Sequence, residues 1–119
     1  MKDWKSLEHH WTKKPINIDE FARAAALYYE ELSSILVSKQ RDYGAGNIAN
    51  APGGPLNGLR VRIYDKVSRI NNLIGTGAEP ENESLHDSFL DLANYAVIAL
   101  MVLDGVWPDP NAWESDDNR

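Results

Sequence analysis

The sequence predicts an all-α fold: an antiparallel bundle of three long helices with a Gly-rich loop, completed by oligomerisation. Three observations carry this. Apolar residues recur at helical spacing in three separate segments. No segment alternates apolar and polar residues as a half-buried strand does. Glycine and proline gather mainly between the periodic segments. A chain of 119 residues is the size of one domain, and small helical domains commonly enlarge their core by association.

The first helix is expected from a cap at Asn17 or Asp19 to about Gln40. Phe21, Ala25, Tyr28, Leu32 and Ile35 mark its apolar stripe. It should stop near Asp42-Tyr43-Gly44, where Gly44 can take a positive φ. Residues 44–58 contain Gly44, Gly46, Gly53, Gly54, Gly58, Pro52 and Pro55 and read as a loop. Loops of that length are often functional. A second helix is expected over about 59–74, with Leu59, Ile63, Val67, Ile70 and Ile74 as its stripe. After a second loop at 75–82, Glu83 or Ser84 begins a third helix running to about Leu103. Asp104-Gly105 ends it, and Pro108 and Pro110 forbid continuation. The organisation is therefore an N-terminal arm (1–16), a helical domain (17–105) and a C-terminal tail (106–119). Trp4 and Trp11 suggest that the arm packs on something, and Trp107 and Trp113 in the tail are expected to cover a hydrophobic surface or a subunit neighbour.

Composition narrows the function classes. Net charge is -6, which argues against a nucleic-acid backbone or an anionic membrane as main partner. A nucleotide remains compatible, because a metal ion inverts local charge. Without cysteine, disulfides and thiolate metal sites are excluded. The N-terminal residues show no apolar signal-peptide core. The longest apolar stretch, 89–103, is interrupted by Asp91 and Asn94 and is shorter than the ~20 residues of a membrane span. A cytoplasmic setting is expected.

The residues with chemistry fall in three groups. Glu83, Asp87, Asp91 and Asn94 step by four, four and three, which places them on one stripe of the third helix. Stacked carboxylates repel, and Asp91 lies between Leu90 and Leu92, so a charge there needs a partner, a metal or a proton. Oxygen ligands alone point to Mg²⁺ or Mn²⁺. The competing reading is a solvated acidic edge. On the second helix, Arg62, Asp65, Lys66 and Arg69 offer one carboxylate for the metal and three cations for phosphate oxygens, or else ordinary surface ion pairs. The third group is Lys39-x-x-Asp42-Tyr43-Gly44-x-x-Asn47. Its plain reading is a helix C-cap. Its functional reading sends Lys39 to phosphate, stacks Tyr43 on a base and lets Asn47 read a base edge or sugar. His86, Glu30 and Glu31 are read as solvent-facing, Tyr95 as core, and His9 and His10 as no metal site.

Taken in order, K-x-x-D-Y-G-x-x-N, G-L-x-V-R-x-x-D-K-x-x-R-I-x-N-L and E-x-x-x-D-x-x-x-D-L-A-N-Y-A resemble phage MazG-like nucleotide pyrophosphohydrolases. The chain is also similar to the nucleotide-modification-associated helical domain of phage genomes. Both are related to the all-α NTP pyrophosphatase superfamily. The resemblance spans about 35–103. It implies an antiparallel helical bundle that forms homodimers or tetramers, and, for a phage protein, the host cytoplasm. It also implies Mg²⁺-dependent hydrolysis of a (deoxy)nucleoside triphosphate to monophosphate and pyrophosphate. Asp65, Glu83, Asp87 and Asp91 would then hold metal, with Lys39, Asp42, Tyr43, Asn47, Arg62, Lys66, Arg69 and Asn94 around the nucleotide. The second-helix motif of that superfamily is usually a pair of glutamates three residues apart. Here the matching stretch, 64–69, contains Asp65 as its one acid. That departure supports an alternative: a protein that binds a nucleotide without hydrolysing it.

Overall fold

The computed structural model describes residues 13–112. Four helices occur in them: α1 (Ile18–Tyr43), α2 (Gly46–Ala49), α3 (Pro55–Thr76) and α4 (Leu85–Leu103). No strand occurs among the described residues, so the all-helical class expected from periodicity is what the chain adopts. Trp4, Trp11, His9, His10 and Trp113 lie outside the described residues.

Each boundary has a local cause. Asn17 caps α1 by accepting the Glu20 amide at 2.9 Å. Gly44, at φ +69°, closes the helix by donating its backbone N–H to the Gln40 carbonyl. α1 therefore stops within the Asp42-Tyr43-Gly44 stretch where its end was expected. α3 begins at Pro55, four residues before the expected Leu59. Proline suits the first helical position, because its φ is already helical and its missing N–H is one the helix leaves unpaired anyway. Gly58 is thereby inside the helix rather than in the loop. A side chain there would stand 2.6 Å from the Ala51 Cβ, so the glycine lets the preceding loop lie against α3. The loop itself carries a helical turn, α2, that the glycine-rich composition had hidden. Its Ile48 is buried. Ser84 caps α4 by accepting the Asp87 amide at 3.0 Å. Glu83 therefore precedes α4 instead of forming the first step of its acidic stripe.

α3 and α4 pack as an antiparallel pair. Arg69 meets Ser88, Lys66 meets Asp91 and Arg62 stacks on Tyr95, so one helix is read backwards against the other in steps of three and four. The core lies where this pair meets α2: Ile48, Leu59 and Ile98 are buried together, with Leu36, Tyr95 and Trp107 against them. Trp107 reaches that position because the chain turns back after α4, and its indole N–H donates to the Ala45 carbonyl at 3.1 Å. Trp107 thus covers apolar surface of the core, as its place in the tail led one to expect.

α1 is joined to this pair through its C-terminal half. Leu36 packs on the core, Leu32 offers its carbonyl to the buried Asn94 at 3.1 Å, and Lys39 pairs with Asp91. No α1 residue is buried, and Ile18, Phe21, Leu27, Tyr28 and Tyr29 are exposed. The tightly packed unit within one chain is therefore a helix pair, with α1 laid against one part of it. α4 is long and apolar enough to cross a membrane by length and composition. Its doubly paired Asp91 and hydrogen-bonded Asn94 instead suit a helix packed against protein.

Candidate functional site

α4 and α3 present complementary polar steps to one another. Lys66 and Arg69 stand three residues apart on α3, and Ser88 and Asp91 three apart on α4. In an antiparallel pair these steps meet in register. The result is a ladder of alternating charge. Asp91 Oδ1 accepts the Lys39 ammonium at 2.9 Å, and Oδ2 accepts the Lys66 ammonium at 2.9 Å. Lys66 continues to Glu83 Oε1 at 2.7 Å. Glu83 Oε2 accepts the Ser88 hydroxyl at 2.6 Å and faces Arg69 Nε at 3.2 Å. Arg69 also donates to Ser88 Oγ and to the Glu83 carbonyl. Three cations alternate with two anions, so the ladder carries surplus positive charge on a chain that is acidic overall.

The ladder shifts the ionisation of its members. Burial alone would push the Asp91 carboxyl up, but hydrogen bonds from Lys39 and Lys66, with their charges, hold it below the usual carboxylate range. The Lys39 ammonium is raised, first by its hydrogen bond to Asp91. Burial works against the Lys66 ammonium, yet its bonds to Glu83 and Asp91 leave it raised as well. All three groups are thus held charged.

Two cavities flank the ladder. The first, of ≈ 260 Å³, lies between the end of α1, α2 and the α3–α4 pair. Tyr43, Tyr95 and Trp107 supply its aromatic wall, and Lys39, Arg62 and Asp91 its charges. Arg62 lies 5.9 Å from the centre of the Tyr95 ring and donates to the Asn47 carbonyl at 3.4 Å. Gln40 and Asn47 also line it. Gln40 Nε2 and Asn47 Oδ1 are buried and have no hydrogen-bond partner. Buried polar atoms are nearly always paired, so these two atoms call for a polar partner, either ordered water or a ligand. The second cavity, of ≈ 390 Å³, is lined by Lys39, Glu83, Asp87 and Asp91 together with Ile35 and Leu90.

The expected site residues therefore separate. Lys39, Tyr43, Asn47, Arg62, Asp91 and Asn94 share the first cavity; Lys39, Glu83, Asp87 and Asp91 share the second. Lys66 and Arg69 belong to the ladder between helices. Asn94 commits its amide to Leu32, tying α1 to α4. Asp42, Asp65 and Asp87 are exposed, as are His86, Glu30 and Glu31. Asp65 joins neither cavity nor the ladder. Among the described residues, no three His, Asp or Glu side chains converge to hold a metal ion. Glu83 and Asp91 come together across the Lys66 ammonium. As placed, these carboxylates do not fit a divalent ion. Two contributors went unread in the sequence. Ser88, fully buried, is signalled by its spacing three before Asp91, which mirrors Lys66 and Arg69. Gln40 carries no comparable signal, since its role depends on where α2 folds back.

Residues 39–103 match the sequence family described as nucleotide modification associated domain 1. The match covers more than half of the chain and contains the whole ladder. The chain belongs to this family. The residues matched to the nucleotide modification associated domain run from Lys39 to the end of α4, and they line both cavities together with Leu36, Ile35 and Trp107 outside the match. No curated protein and no solved structure matches the chain.

Proposed function

We propose that the protein binds a nucleotide, with the base in the first cavity and the phosphates toward Lys39 and Arg62. The unpartnered Gln40 Nε2 and Asn47 Oδ1, on two residues that line the same cavity, carry this reading. Every nucleobase presents an adjacent donor and acceptor on an edge. Tyr43, Tyr95 and Trp107 offer faces for stacking, and the cations beside them suit phosphate oxygens. The family description supports a nucleotide as ligand.

A second reading, hydrolysis of a (deoxy)nucleoside triphosphate between its α and β phosphates with Mg²⁺ or Mn²⁺, is favoured by Glu83, Asp87 and Asp91 lining one cavity. It corresponds to kinship with MazG-like pyrophosphohydrolases, and it needs Lys66 to release its carboxylates. One experiment separates the two. Calorimetric titration with the eight common ribo- and deoxynucleoside triphosphates is run beside a pyrophosphate-release assay with each metal. Saturable binding without pyrophosphate is the expected outcome; release establishes the second reading. Silence in both, from folded protein, overturns both.

We also propose that a second copy covers the exposed half of α1, giving a homo-oligomer. Phe21 and Tyr28 stand one heptad apart on α1 and are both exposed, so a neighbour laid along that face would remove their apolar area from water. Light scattering should give a multiple of the 13.4 kDa chain mass, and Phe21→Glu with Tyr28→Glu should reduce it to one chain. A monomeric wild type overturns the proposal.

A further inference from the structure

The carboxylates of Glu83 and Asp91 come from different places, a loop end and mid-α4, and meet at a single cation. That cation is the side chain of Lys66, with one carboxylate at 2.7 Å and the other at 2.9 Å. We propose that the Lys66 ammonium is the resident cation of this pair, so that the free protein keeps the site closed to divalent ions.

Three features of the ladder support this. Every carboxylate oxygen of the pair already has a donor: Oε1 of Glu83 has Lys66 and Oε2 has Ser88, while Oδ1 of Asp91 has Lys39 and Oδ2 has Lys66. An entering ion would have to break bonds that are charge-assisted and partly shielded from water. The ammonium is also delivered by a helix whose register is fixed. Arg69, three residues on, holds Glu83 by side chain and carbonyl, so Lys66 faces the pair whenever α3 packs on α4. Finally, a hard divalent cation needs about six oxygen ligands. Asp87, the nearest further acid of the stripe, is exposed and turned to the second cavity. A lysine needs only the two carboxylates present. It acts as a compact point charge with three donors, and so satisfies the pair where a metal with two ligands would not.

The test is Mn²⁺ titration of the full chain, read from the free-ion electron paramagnetic resonance signal, without nucleotide. Its outcome is therefore independent of the proposed nucleotide binding. Lys66→Met should bind Mn²⁺ at least tenfold more tightly than wild type, and adding Glu83→Gln to that variant should remove the gain. Equal titrations in wild type and variant, whether both tight or both empty, overturn the proposal. The wild type gives a second reading that needs no variant. Substoichiometric Mn²⁺ should leave the Glu83 and Asp91 backbone amide resonances sharp. Selective broadening of those two signals overturns the proposal even if Lys66→Met fails to fold.

Discussion

Replacing Asp91 with alanine should lower stability by about 2 kcal/mol. That value lies between the ~0–1 kcal/mol of an exposed pair and the ~3–5 kcal/mol lost when a buried pair is broken. The Asp91 side chain is 17% exposed and its Lys66 partner 18%, nearer the buried case. The Lys39 side chain is 54% exposed and is counted as adding little. Without Asp91, Lys66 keeps Glu83 alone, and Lys39 returns to solvent. A thermal melt should move down by about 10 °C for a domain of this size. Asp91→Asn should lie between wild type and Asp91→Ala, since it keeps shape but loses charge. An asparagine more stable than wild type would mean that the carboxylate is strained rather than paired.

The same ladder fixes a pH dependence whose sign follows from its shifts. Asp91 is held below the usual range. Its contribution is complete above the unfolded value of about 3.9 and is lost as pH falls through the lower folded value. Lys39 and Lys66 are raised. Their contribution is complete below the unfolded value of about 10.4 and is lost as pH rises through the higher folded value. The gap in melting temperature between wild type and Asp91→Ala should thus be widest and flat from roughly pH 5 to 9. It should close toward both extremes. A gap that changes between pH 6 and 8 would place the stabilisation elsewhere.

Much of this arrangement was readable from residue order, and the exceptions have physical causes. Helical periodicity located α1, α3 and α4, because each has an apolar stripe, although within one chain only the C-terminal half of α1 packs on the core. Periodicity could not place the start of α3, since Pro55, Leu56 and Asn57 add little to that stripe and the decision belongs to proline geometry. It placed Glu83 on a helix because a step of four reads alike whether the cap lies before or after it. The Ser84 side chain, by taking the Asp87 amide, settles that choice. Asp91 is the acid that lies in an apolar run, and it is paired as that position requires, whereas Asp87 is exposed. The partner type of Asp91 was less legible. Lys66 and Arg69 look like surface charges until the antiparallel register sets them opposite Asp91 and Ser88. Gln40 and Trp107 are further from sequence reasoning. Each reaches the first cavity only because α2 and the turn after α4 fold back over it.

Asn47→Leu should separate what this cavity contributes to binding from what it costs the fold. The Asn47 side-chain oxygen is buried without a donor, and a buried unsatisfied polar group costs about 1–3 kcal/mol. Leucine has nearly the same shape and no polar atom. The backbone carbonyl of Asn47, which accepts Arg62, is untouched. The variant should melt several degrees higher than wild type. If a base donor satisfies that oxygen in the complex, the same change should weaken the tightest-binding nucleotide of the panel by about 1–2 kcal/mol, roughly tenfold or more. Opposite signs in the two measurements are the expected result, because a site kept open for a ligand is unsatisfied while empty. Higher stability with unchanged affinity would show that Asn47 does not read the base. Lower stability would show that its oxygen is satisfied in the free protein by ordered water, which a leucine cannot replace.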